Sequence, residues 1–247
     1  MDSHIIVPKT VYKRFVNDNK YYYKYDIKKC KIVRGFPRTT FTEENYYSEF
    51  MEKMLNTHVE NPLKKLLDFA DGINLDKEEI VFDEKLREIA RSYIISLVAR
   101  NPQMCERLFS NSVVAKFFSQ QKKHDLTVAL IMENKEYYKC FEKFNVSFII
   151  NASDIPFVLP TRGIYEYSLN GVICLNSPLT PRFSIFLKNR EKQIHNEEDN
   201  TFMIVYDACK IEEMNNCAFV KQKNDNIGYV VSSNKEILEE LVKEIKL

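Results

Sequence analysis

The chain has 247 residues, 45% of them apolar and 29% charged, with aromatics at 13% and a formal net charge of +1. That balance can fill a core without staples and excludes a disordered chain, which needs few aromatics and a large net charge. Near-neutral charge argues against a general electrostatic grip on DNA, though not against a local basic patch, the 5 glycines form neither of the common phosphate loops, and no apolar run of about 18 residues is present to span a membrane.

Residues 1–40 read as extended structure. Lys20 to Asp26 (KYYYKYD) and Cys30 to Val33 are aromatic or β-branched, with Ile27-Lys28-Lys29 between them, which is the pattern of a hairpin. Thr42 is a good N-cap with Glu43 and Glu44 behind it, so a helix is predicted from there, with Phe50, Met54 and Leu55 on its apolar face. Asn61-Pro62 reads as a fresh cap with proline at the first helical position, and Leu63, Leu66, Leu67 and Ala70 extend the stripe to Gly72. A further helix begins at Asp83, where Leu86, Ile89, Ala90, Tyr93, Ile94, Leu97 and Val98 recur at the 3.6-residue period. Pro102 ends or kinks it. Val113 to Phe118 reads as a short helix, and Val128 to Phe144 as a longer one with Tyr138 and Phe141 for packing.

After Phe144 the pattern changes to short apolar runs bounded by Pro, Asn, Ser or Gly. Val146 to Ile150, Pro156 to Leu159, Val172 to Leu175, Phe183 to Leu187 and Ile227 to Val231 read as strands. Residues 197–219 fit a helix better than a strand. Ser233-x-x-Glu236 is a capping box that opens a final helix with Ile237, Leu238, Leu241, Val242 and Ile245 on one face. An N-terminal extended hairpin, a central helical region and a C-terminal mixed or antiparallel sheet with a final helix make an α+β fold rather than an alternating wound sheet. With no linker or repeat in view, residues 1–247 read as one domain.

The six cysteines form no C-x-x-C and stand at no metal-ligand spacing from a histidine. The start MDSHIIVPK lacks an apolar signal region, so a cytoplasmic protein with reduced, mostly buried thiols is expected. His58, His124 and His195 sit in polar contexts and read as surface residues. Glu49, Glu52 and Glu60 read as a solvated helix stripe.

Four stretches stand out together. They are H-I-I-V-P-x-x-x-x-x-R-F from His4 to Phe15, K-Y-Y-Y-K-Y-D from Lys20, S-D-I-P-F-V from Ser153 to Val158, and P-L-T-P-R from Pro178 to Arg182. In this order they resemble a bacterial and phage family, the domain-of-unknown-function family numbered 4238. Arg14 and Ile155 stand where that family usually has Asn, and the chain has no Trp. The resemblance implies a fold and a candidate pocket, not an activity.

Candidate chemistry follows from residue type and place. His4, on an apolar run that could dock as a strand, could act as a general base near neutral pH. Asp154, after a buried-looking strand, could be a base, a metal ligand, or the partner that orients His4, although a single Asp is too few to argue for a metal site. An Asp beside a proline turn also simply braces that turn. Arg100 could clamp a phosphate or carboxylate, or could serve only the dipole at its helix end. Arg182 and Ser153 are candidate substrate-binding groups. No metal or cofactor is called for. The Tyr-Lys run offers rings and cations of the kind that hold single-stranded nucleic acid, but it equally suits a soluble edge hairpin.

Two functions are consistent with these residues. One is a metal-independent, phosphodiester-directed hydrolase or nuclease in phage–host conflict. Its catalytic residues would be His4, Asp154 and Arg100, and its ligand RNA or another phosphate-bearing molecule. The other is a non-catalytic binding protein in phage defence or counter-defence, with a protein partner.

Overall fold

The computed structural model describes residues 2–75, 80–110, 112, 114–142, 144–169, 171–189, 202–224 and 228–244. Strand β1 (Asp2–His4) leads through helix α1 (Lys9–Tyr12) and a 3-10 turn (Lys13–Phe15) to the hairpin β2 (Tyr22–Asp26) and β3 (Lys31–Gly35), then to strand β4 (Thr42–Glu44). The helical region follows with α2 (Glu49–Leu55), a π turn (Asn56–Glu60), α3 (Asn61–Asp71), α4 (Glu84–Ala99), α5 (Pro102–Phe109), a 3-10 turn (Val114–Phe117), α6 (Gln120–Glu133) and α7 (Lys135–Glu142). Then come strands β5 (Phe144–Asn151), β6 (Leu159–Pro160), β7 (Tyr165–Leu169), β8 (Val172–Thr180), β9 (Phe183–Asn189) and β10 (Phe202–Val205). Helix α8 (Ala208–Asn224), strand β11 (Tyr229–Ser232) and helix α9 (Lys235–Glu244) complete an α+β fold.

The alternation of side chains along β5 explains the layers. Val146, Phe148 and Ile150 join one core cluster with Leu63, Leu66, Tyr93 and Leu97 of the helices, while Ile149 joins a second with Ile211, Phe219 and Leu238. Strand β9 does the same, with Phe183, Ile185 and Leu187 on the first side and Phe186 on the second. A sheet covered on both faces needs apolar residues at successive positions, which is why these strands read as continuous apolar runs. The sheet runs in the order β10-β5-β9-β8-β7, antiparallel except for the β5–β10 pair. A second, antiparallel sheet has the order β3-β2-β11-β6.

Several sequence-based expectations need correction. Lys9 to Phe15 is helical rather than extended. Thr42 begins no helix: Thr42 to Glu44 pair antiparallel with β1, and the cap falls at Ser48, whose Oγ accepts from the Met51 amide at 3.2 Å. The buried face of α2 is therefore Met51 and Leu55, with Phe50 77% exposed. Asn61 is itself helical and caps nothing. The chain passes from α2 into α3 through the π turn, whose wider spacing accommodates the amide that Pro62 lacks. The run expected as one helix from Val128 to Phe144 breaks at Asn134 and gives way to β5 at Phe144. Within the 197–219 stretch expected as a helix, Phe202–Val205 is strand β10 and the helix starts only at Ala208. Strand β7 has no counterpart among the expected strands, and 156–158 is irregular, so only Leu159 and Pro160 pair there. Helix α9 is capped by Asn234, whose Oδ1 accepts from the Glu236 amide at 2.8 Å, not by Ser233.

His124 is buried, with its ring stacked 3.8 Å from that of Tyr46. Cys105 and Cys174 are buried and in no disulfide, but Cys30 and Cys209 are exposed. Among the described residues no helix is long and apolar enough to cross a membrane. His195 and Cys140 have side chains outside the described residues.

Candidate functional site

The end of β5 organises the most suggestive site. Asn151 is 2% exposed, and each polar atom of its side chain is used. Its Oδ1 accepts from the Ser153 amide at 3.0 Å and from Ser153 Oγ at 2.7 Å. Its Nδ2 donates to the Ile155 carbonyl at 2.7 Å and the Pro181 carbonyl at 3.3 Å. The backbone completes the joint: the Asn151 amide donates to the Arg182 carbonyl at 2.8 Å and the Phe157 amide to the Pro181 carbonyl at 2.9 Å. Asn215 steadies the far side, accepting from the Val158 amide and donating to the Pro156 carbonyl, both at 2.9 Å. The S-D-I-P and P-L-T-P-R runs are thus built into one joint.

That joint forms the floor of a cleft of about 310 Å³. Ser153, Asp154 and Arg182 line it on the polar side, and Ile73 and Leu75, beyond the end of α3, on the apolar side. Asp154 and Arg182 are exposed. Neither side chain forms a hydrogen bond or ion pair among the described residues. Ser153 is buried, and its hydroxyl lies 2.7 Å from Asn151 Oδ1 and 3.3 Å from the Ile155 carbonyl, so its one proton is taken up within the turn. Beneath lies an aromatic stack in which Phe148 stands 4.4 Å from Phe82 and 5.3 Å from Phe183, giving the polar rim a rigid base.

Arg100 is elsewhere. It ends α4 with 2% of its surface exposed, and its Nη1 donates to Glu60 Oε1 at 3.3 Å. Its guanidinium stands 5.8 Å from the Tyr47 ring centroid. Burial works against its charge, but the Tyr47 hydroxyl and the Glu60 and Glu52 carboxylates beside it outweigh that and raise its pKa. The clamped carboxylate is therefore the protein's own. Glu60 and Glu52 are not a solvated stripe: the π turn carries Glu60 toward Arg100, and Glu52 lies close enough to act on its charge. His4 lies in β1, opposite Thr42, and its side chain is outside the described residues.

The chain matches no family model, no curated protein and no solved structure.

A larger groove of about 540 Å³ follows α8, between Glu166 on β7 and Glu244 on α9. Glu212 and Glu213 line it as well. Lys221 lines it too and pairs with Glu166 at 3.6 Å, so carboxylates dominate the charge of this groove. Among the described residues no group of three or more His, Cys, Asp or Glu is placed to hold a metal ion.

Sequence reading missed Asn151. Its signal was present, since an Asn two residues before Ser at a strand end is an Asx-turn former. Glu60 had no such signal, because its partner lies 40 residues away.

Proposed function

We propose that this protein binds a small phosphate-bearing ligand in the cleft of Ser153, Asp154 and Arg182. The observation that carries this reading is their convergence on one cleft, with an exposed guanidinium that no described carboxylate neutralises. A guanidinium matches phosphate oxygens with paired N–H donors. The cleft volume of about 310 Å³ suits a mononucleotide-sized molecule.

Asp154 favours a second, stronger form of this reading, phosphodiester hydrolysis. A bare carboxylate beside a phosphate repels it, and so has a use only if it takes a proton or orients an attacking hydroxyl. His4 remains the nominated acid–base partner. The likeness to a family seen in bacteria and phages motivates a role in phage–host conflict, for the binding form and the catalytic form alike.

Isothermal titration with AMP and pyrophosphate, beside turnover of bis(p-nitrophenyl) phosphate, tests both forms. Arg182→Ala is expected to weaken binding by about tenfold or more, since a charge-assisted hydrogen bond contributes about 1.5–3 kcal/mol. Asp154→Asn is expected to keep binding and abolish any turnover. Equal binding by the wild type and Arg182→Ala would remove the cleft from consideration.

A further inference from the structure

Between Lys20 and Arg38 seven lysines and arginines stand against one carboxylate, Asp26, while the whole chain nets only +1. The basic excess of the molecule is concentrated on the β2–β3 hairpin. Strand order decides where its rings go. Tyr22 turns inward onto Gly35, where any Cβ would collide with its ring, and Tyr25 is buried 5.1 Å from Phe219. Tyr21 and Tyr23 lie on the face of Tyr25 and are both partly exposed, with Tyr23 packed by one side against the core cluster that holds Tyr25.

These two rings meet edge to face at 5.4 Å, and their hydroxyls bond to each other at 3.2 Å. Phe36, 51% exposed, packs 6.5 Å from Tyr21, and the Arg34 guanidinium stands 4.8 Å from the Tyr21 ring. Arg34 and Arg38 are exposed. Asp26 is at the other end of β2, in register with Lys31 and within 3.9 Å of Lys29, so it does not neutralise this end. Strand β3 is the edge of its sheet.

We propose that this end of the hairpin binds single-stranded RNA, with bases on Tyr21, Tyr23 and Phe36 and phosphates on Arg34 and Arg38. Rings set among cations on a sheet edge provide both contacts a single strand needs, and stacking requires unpaired bases. An anionic membrane fits less well, because membrane insertion calls for a broad apolar face and Phe36 is the one strongly exposed apolar ring here. The surface is separate from the cleft residues, so the inference stands or falls independently of the proposed function.

Fluorescence anisotropy with a fluorescein-labelled U12 oligonucleotide at 50 mM salt tests it, with heparin and phosphatidylserine vesicles as competitors. The wild type is expected to bind U12 saturably. Tyr21→Ala with Phe36→Ala should lower that affinity about tenfold, with heparin affinity unchanged. Arg34→Ala with Arg38→Ala should lower both affinities. Phe36→Ala alone, at an exposed ring, carries the test if the Tyr21 substitution unfolds the hairpin. Absence of saturable U12 binding, ring removal without effect on U12, or vesicles displacing U12 more effectively than heparin does would each overturn the proposal.

Discussion

Asn151 holds Ser153 through one side-chain oxygen, which accepts from both the amide and the hydroxyl of that serine. The nitrogen of the same amide group reaches the carbonyls of Ile155 and Pro181. One buried side chain therefore fixes the two short runs that make up the cleft, although about thirty residues separate them, as the Asn151–Pro181 spacing of 30 records. Its position at the end of a strand buried on both faces gives this joint a rigid support.

Replacing Asn151 with Ala strands several polar groups in a buried place. Asn151→Ala is expected to lower stability by about 2 kcal/mol and the melting temperature by about 4–8 °C. Calorimetry checks this. A variant that melts with the wild type would show that the turn holds itself.

Arg100 is buried and pairs with a partly buried Glu60, and breaking the pair from one side leaves a lone charge. Arg100→Met is expected to cost about 3–5 kcal/mol in urea denaturation. Arg100→Met with Glu60→Leu should recover part of that loss, because Glu60 is no longer left unpaired, while the nearby Glu52 carboxylate still lacks its cation. If Arg100→Met instead preserved stability and abolished ligand binding, Arg100 would belong to the site.

His124 makes stability depend on pH. Burial is the main cause that pushes its pKa down to about 4, whereas the unfolded chain takes up the proton near about 6.5. The neutral ring's contribution is thus complete above about pH 6.5 and is lost as pH falls from there toward about 4. His124→Phe keeps a ring against Tyr46 and should flatten the urea midpoint between pH 7 and pH 4.5 relative to the wild type. Parallel slopes for the two proteins would contradict this origin.

Thiol exposure divides the cysteines. In the folded protein Cys30 and Cys209 are expected to react with a maleimide well before Cys105 and Cys174. Burial also pushes the Cys105 thiol up, which reduces its thiolate fraction. Mass spectrometry of briefly labelled protein reads the order, and early label on Cys105 would mean that α5 opens readily.

What the sequence made legible follows its local or long-range origin. The hairpin, α4 with its Asp83 cap and the apolar runs of β5 and β9 follow from periodicity and capping, which are local. Thr42-Glu43-Glu44 has the local look of a helix start, but pairing with β1 overrides it and shifts the start to Ser48. Strand β10 is four residues long and exists by parallel pairing with β5, for which no local pattern is needed. The joining of the two cleft runs was legible only as a coincidence of motifs. The Glu60–Arg100 pair and the Tyr46–His124 stack arise from packing between elements remote in sequence, and polar neighbours made those residues look like surface.

The role of Arg182 admits a direct measurement. In ¹⁵N-arginine-labelled protein titrated with AMP, the account predicts a saturable shift of the Arg182 Nε–Hε signal with the Arg100 signal unmoved. Saturable binding of AMP that leaves Arg182 unshifted would contradict it.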